Sequence, residues 1–235
     1  MIILKLNEDV CKKKKRLWQK TSLKEELFDY TRAGVIINNR PHFIISVNEN
    51  NLCDESFKKM LSRYKGEIIT SEKLLKHEFL NELLFDEKPY IKRAMFKNFE
   101  SLFKNKQAKM LNLLVVDFNF DLKEKLPMLL PNVKTLTVKV KDDFYIKDWQ
   151  KKCFLEYGIK PNVVFADELR TFSYDVIADF DNIKNKTLFV EFLGETKTVN
   201  PANEFFQIPE ELKFLKNFEL ENSTICAVFG SGFKK

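Results

Sequence analysis

Apolar positions in the second half of the chain fall in short runs, and the runs alternate with stretches of helical spacing. Leu111 to Val116 is an almost unbroken apolar run, the signature of a strand buried on both faces. Asp121 to Leu130 reads as a few helical turns interrupted by Pro127, and Thr135 to Val140 reads as a strand. Ile146, Trp149, Cys153 and Tyr157 align on one face of a helix from Tyr145 to Tyr157, which Gly158 closes. Val163 to Ala166, Asp175 to Asp179 and Thr187 to Leu193 follow as strands. A short helix from Glu210 to Leu215 and a last strand from Thr224 to Phe229 complete the pattern. Strands alternating with helices are the grammar of a parallel sheet with right-handed crossovers.

The first half has a different pattern. Ile2 to Leu6 is a short strand. Ser22 with Glu25 forms a capping box for a helix that Gly34 ends, with Leu23, Leu27 and Tyr30 on one face. Val35 to Ile37 and His42 to Val47 flank Asn38-Asn39-Arg40-Pro41 and predict a hairpin. Helices follow from Asp54 to Gly66, after Ser71 and from Pro89, and Glu67 to Thr70 is a strand. The stripe of the Pro89 helix is Ile91, Met95, Phe99 and Leu102. The polar stretch 104–109 is the best boundary. It divides the chain into an α+β module at 1–106 and an α/β domain at 107–235 with a three-layer, Rossmann-like αβα build and a mainly parallel sheet.

Composition supports a folded, soluble chain. Of 235 residues, 44% are hydrophobic and 23 are Phe, which excludes a disordered chain. The net charge of +6 is mild, and only six of the 40 basic residues are Arg, the residue suited to bidentate phosphate and base contacts. The Lys, Phe and Asn bias fits AT-rich, bacterial-type coding. Cys11, Cys53, Cys153 and Cys226 are widely spaced, so a zinc knuckle is excluded and a reducing cytoplasmic compartment is expected. No signal peptide and no apolar stretch of membrane-spanning length is visible, so no membrane association is expected.

The chemistry is mostly a matter of exclusions. The loop after the first strand of the second half is Asp117-Phe118-Asn119-Phe120-Asp121. A dinucleotide fingerprint needs glycines there, and two phenylalanines block the backbone's approach to a pyrophosphate. Gly230 and Gly232 follow a predicted strand, but too few residues remain for a helix to receive the phosphates. His42 and His77 stand alone, and neither a nucleophile elbow nor a Walker sequence is present. Asp142 and Asp143 follow the second strand, where an acidic residue can bind ribose; helix capping is the plainer reading. The run Lys12 to Arg16 can touch nucleic acid, but it lacks the aromatic interleaving of a recognition surface and reads as a solvated face.

Two readings of the acidic loop follow. In the first, the domain is a degenerate nucleotide fold without a cofactor. It binds a small anionic ligand or a protein partner through Asp117, Asn119, Asp142, Asp143, Arg170 and Ser173. In the second, Asp117 at the end of an apolar strand resembles the first motif of the haloacid-dehalogenase-like phosphatases. There a nucleophilic Asp is followed two residues on by another. The resemblance implies a Mg²⁺-dependent phosphotransfer enzyme, with Asp117 as nucleophile and Asp179 and Asp181 helping to hold the metal. Asn119 stands where that family has its second Asp, and the general acid is missing. Nucleic-acid binding through Lys12 to Arg16 is a third reading.

Overall fold

In the computed structural model, residues 1–6, 31–37, 40–47, 52–104, 109–142, 146–166 and 173–229 are described. They form two compact units, Met1–Glu87 with Phe206–Lys235, and Lys88–Phe205. The expected split at 106/107 therefore falls inside the second unit. The helix from Lys88 to Ser101 gives its apolar stripe to that unit's core, so it belongs there.

The first unit is built on a four-stranded sheet of order β2-β3-β1-β4. Its strands are β1 (Ile2–Leu6), β2 (Thr31–Ile37), β3 (Arg40–Val47) and β4 (Ile68–Thr70). β2 and β3 form the expected antiparallel hairpin, whereas β1 runs parallel to both β3 and β4. Gly34 lies inside β2 and does not end a helix.

β1 is apolar at successive positions because both of its faces are buried. Ile2, Leu4, Ile45 and Ile68 share one face, in a core with Phe57 and Leu61 of α1 (Glu55–Leu61) and Leu80 of α2 (Glu78–Asn81). Ile3 and Ile69 point to the other face and meet Leu212, Leu215, Ile225 and Phe229. That second apolar face explains why the C-terminal segment returns to the first unit, where sequence reading had left it in the second. The segment 224–229, expected as a strand, is helical in α5 (Asn222–Phe229). Its β-branched residues favour a strand locally, but Ile225, Cys226 and Phe229 are all buried, and positions i, i+1 and i+4 fall on one side of a helix whereas a strand would turn Cys226 away from the other two.

α1 begins where expected. Asp54 Oδ1 accepts from the backbone N–H of Ser56 at 2.8 Å and of Phe57 at 3.0 Å. The Ser22 helix, the Lys12 to Arg16 run, Cys11, Gly230 and Gly232 lie outside the described residues.

The second unit carries a six-stranded sheet of order β10-β9-β8-β5-β6-β7. β5 (Asn112–Val116), β6 (Thr135–Val140), β7 (Asn162–Phe165) and β8 (Val176–Asp179) are mutually parallel. β9 (Leu188–Phe192) and β10 (Glu195–Val199) add an antiparallel edge. Numbered along the chain, the parallel strands lie in the order third, second, first, fourth, which is the Rossmann-like order. This is the α/β class that the sequence pattern predicts.

α3 (Lys88–Ser101), the 3₁₀ segment Leu126–Asn132 and α4 (Ile146–Tyr157) all contribute to one core with Leu113, Val115, Leu136 and Val138. Phe99 anchors it, edge-on to Phe103 at 5.1 Å and to Phe180 at 5.3 Å. The helix expected over 121–130 is a series of turns leading into the 3₁₀ segment. Pro127 and Pro131 each lack the N–H that an α-helix would use. β10 was missed because its residues are mostly charged and polar. The turn that makes it, Leu193-Gly194, has φ values of 53° and 80°, as a two-residue hairpin loop requires. Among the described residues no helix is long and apolar enough to cross a membrane.

Candidate functional site

β5 and β8 are neighbours, and the chain leaves β5 toward β6 on the other side. Their carboxyl ends therefore form the switch point at which ligands bind in open α/β sheets. Asp117 follows β5 directly, and Asp181 lies two residues beyond β8. Between them stands the ammonium of Lys92, from the middle of α3, and Lys92 is 1% exposed. Nζ donates to Asp117 Oδ1 at 2.7 Å, to Asp181 Oδ1 at 2.8 Å and to Asp121 Oδ2 at 2.9 Å. Each of the three ammonium protons has one carboxylate.

The remaining carboxylate oxygens hold the loops. Asp117, which is 0% exposed, uses Oδ2 to accept from Leu122 N–H at 2.8 Å. Asp181 Oδ2 accepts from Phe118 N–H at 2.5 Å. Asp179 takes no part with Lys92; its Oδ1 accepts from the N–H groups of Asp181 and Asn182 and shapes the turn after β8.

Phe120 has φ of 55° in the loop where a dinucleotide fold places glycines. Its ring packs edge-on against Trp149 at 4.9 Å, and Trp149 Nε1 donates to Lys123 O at 2.7 Å. Stacking on α4 thus holds a backbone conformation that the side chain itself disfavours.

Burial pulls the Lys92 ammonium toward losing its proton, but bonds to Asp117, Asp181 and Asp121 outweigh that and leave its pKa raised. Burial pushes the Asp117 carboxyl up from its ordinary range, against the pull of Lys92 and the Leu122 N–H. The geometry decides the charge state: both Asp117 oxygens accept hydrogen bonds, so the residue is a carboxylate beside an ammonium. One positive and three negative charges leave the site acidic.

Of the residues singled out from sequence, Asp117 and Asp181 are brought together. Asn119, Asp142 and Ser173 are exposed and stand outside this network. Asp143 and Arg170 lie outside the described residues. Sequence reading missed Lys92 and took Asp121 only as the last residue of the acidic loop, without a ligand role. A signal was present: Lys92, Phe96, Phe99 and Phe103 recur at helical spacing, so a lysine lies in line with an apolar stripe.

Cys153 and Cys226 are buried. Burial, with Glu156 nearby, pushes the Cys153 thiol up to about 11, so it is no nucleophile at neutral pH.

No family model matches the chain, and no curated protein matches it. Among solved structures, the chain is similar to L-tryptophan dehydrogenase from Nostoc punctiforme at 14% identity and a TM-score of 0.32. That alignment covers 80% of this chain and 60% of the dehydrogenase, so the chain spans about three fifths of that protein's length. The Rossmann-like assignment of the second unit rests on its own strand order.

Proposed function

We propose that the protein is a binding protein built on a degenerate Rossmann-like unit, whose switch point is closed from within by Lys92. The observation that carries this reading is the full burial of Asp117 with both carboxylate oxygens already engaged. A nucleophile must reach its substrate along an open path, and Asp117 has none. The excess of carboxylates also argues against a small anionic ligand at this point, because like charges repel it. A protein partner or a ligand held elsewhere fits better. Buried thiols at Cys153 and Cys226 are in keeping with a reducing, cytoplasmic setting.

The test is to offer p-nitrophenyl phosphate with Mg²⁺, and separately NAD and ATP, to the purified protein. The reading expects neither hydrolysis nor binding at the switch point. Mg²⁺-dependent hydrolysis that Asp117→Asn abolishes in a folded variant would overturn it.

One observation favours the Mg²⁺-dependent phosphotransfer reading. Carboxylates of Asp117, Asp121 and Asp181 all converge on one cation, the Lys92 ammonium, although as they stand no group of three or more such side chains among the described residues is placed to hold a metal ion. That point holds the ammonium, so metal binding requires Lys92 to leave first. Asp121, and not Asp179, would then be the third ligand.

A further inference from the structure

We infer that the first unit contains a binding site for a small organic cation, with an apolar body and a primary ammonium or amidinium head. A cavity of about 190 Å³ lies at the end of β4, within that unit. Leu75, Leu84 and Phe85 supply its apolar wall. Glu87, Glu221 and Thr224 supply its polar end, and among the described residues no basic side chain lines it.

The cavity is a product of the fold. Phe85 N–H donates to Ile68 O at 2.7 Å, so the segment 84–85 extends along the edge of β4 and walls the space beside it. α5 closes the opposite side with its first turn. Thr224 Oγ1 donates to Glu87 Oε2 at 3.0 Å, which fixes the carboxylate against the cavity and leaves Oε1 to accept. Among the described residues Glu87 makes no ion pair. A carboxylate oxygen with acceptor capacity beside an apolar space is what a bound cation or water would engage.

Size and charge fix the ligand class. An apolar cavity of about 150 Å³ accommodates benzene, so this one suits a ring or short chain carrying one more polar group. A carboxylate on an otherwise apolar wall selects a cation over a neutral or anionic isostere. The inference is independent of the closed switch point and would stand even if the second unit were an enzyme.

The test uses three probes of one shape: benzylamine, benzyl alcohol and benzoate, titrated by isothermal calorimetry into the full chain. Benzylamine is expected to bind, benzyl alcohol at least about tenfold more weakly, and benzoate not at all. Glu87→Gln keeps an acceptor for Thr224 and should weaken benzylamine about tenfold or more while leaving the thermal midpoint unchanged. Leu75→Trp, which fills the cavity from its partly exposed rim, should abolish binding. Failure of benzylamine to bind, equal binding of the alcohol, or an unchanged Kd in Glu87→Gln would overturn the inference.

Discussion

Replacing Lys92 with Met removes one charge and leaves a side chain of similar length and volume in the same apolar surroundings. Asp117 then becomes a fully buried carboxylate whose remaining bond is from the Leu122 N–H, and it faces Asp121 and Asp181 without a counter-charge. Breaking a buried pair by removing one partner typically costs about 3–5 kcal/mol. For a chain of this size that corresponds to a midpoint lowered by roughly 6–20 °C.

The loss has a pH signature. In the variant, carboxylates without a counter-ion have folded-state pKa values above their unfolded ones. Their penalty is complete at neutral pH and fades as the pH falls toward the ordinary aspartate value of about 4. In the native protein the Lys92 pKa is raised from 10.5, so its stabilisation is whole below that value and is lost only as pH rises through the higher folded value. The gap between the two proteins should therefore be constant from about pH 7 to pH 10 and shrink below pH 5. Urea unfolding followed by the fluorescence of Trp149, which packs on the loop carrying Asp121, measures it. A loss below about 1 kcal/mol, or a gap that does not change with pH, refutes the claim that the ammonium holds this site together.

Two further outcomes concern the first unit. His42 is buried on β3 with Nδ1 lacking a partner among the described residues, and burial lowers its pKa from 6.5. Its contribution is present above pH 6.5 and is lost as pH falls through the lowered value, so His42→Leu should flatten the acid limb of a stability profile below pH 6.5; an unchanged limb contradicts this. Asp54→Ala removes the cap of α1 and should cost about 1 kcal/mol in urea unfolding, whereas Asp54→Ser should recover most of it.

The strands of the second unit were legible because their signal is local. Leu111 to Val116 and Thr135 to Val140 are apolar enough that only burial in a sheet accounts for them, and Gly158 marks the end of α4 with φ of 70°. What escaped depends on partners distant in sequence. The strand-like residues of 224–229 became a helix because the second face of the β1 sheet needed covering. Lys92 was hidden by abundance: in a chain with 34 lysines, one more on a helix attracts no notice until its alignment with Phe96 and Phe99 is seen. Asp117 was identified because it ends a strand, yet its neighbours in space come from positions 92, 121 and 181.

The central claim is that a protonated Lys92 permanently occupies the switch point. Nitrogen-15 NMR of the lysine ammonium groups tests it directly, with the Lys92 signal assigned by its absence in Lys92→Met. The account predicts a sharp Lys92 ammonium resonance at pH 7, protected from exchange by burial, that does not move when Mg²⁺, ATP or NAD is added. An ammonium that exchanges as fast as those of exposed lysines, or shifts on addition of Mg²⁺ and ATP, would mean that the site opens and that the phosphotransfer reading should replace this one.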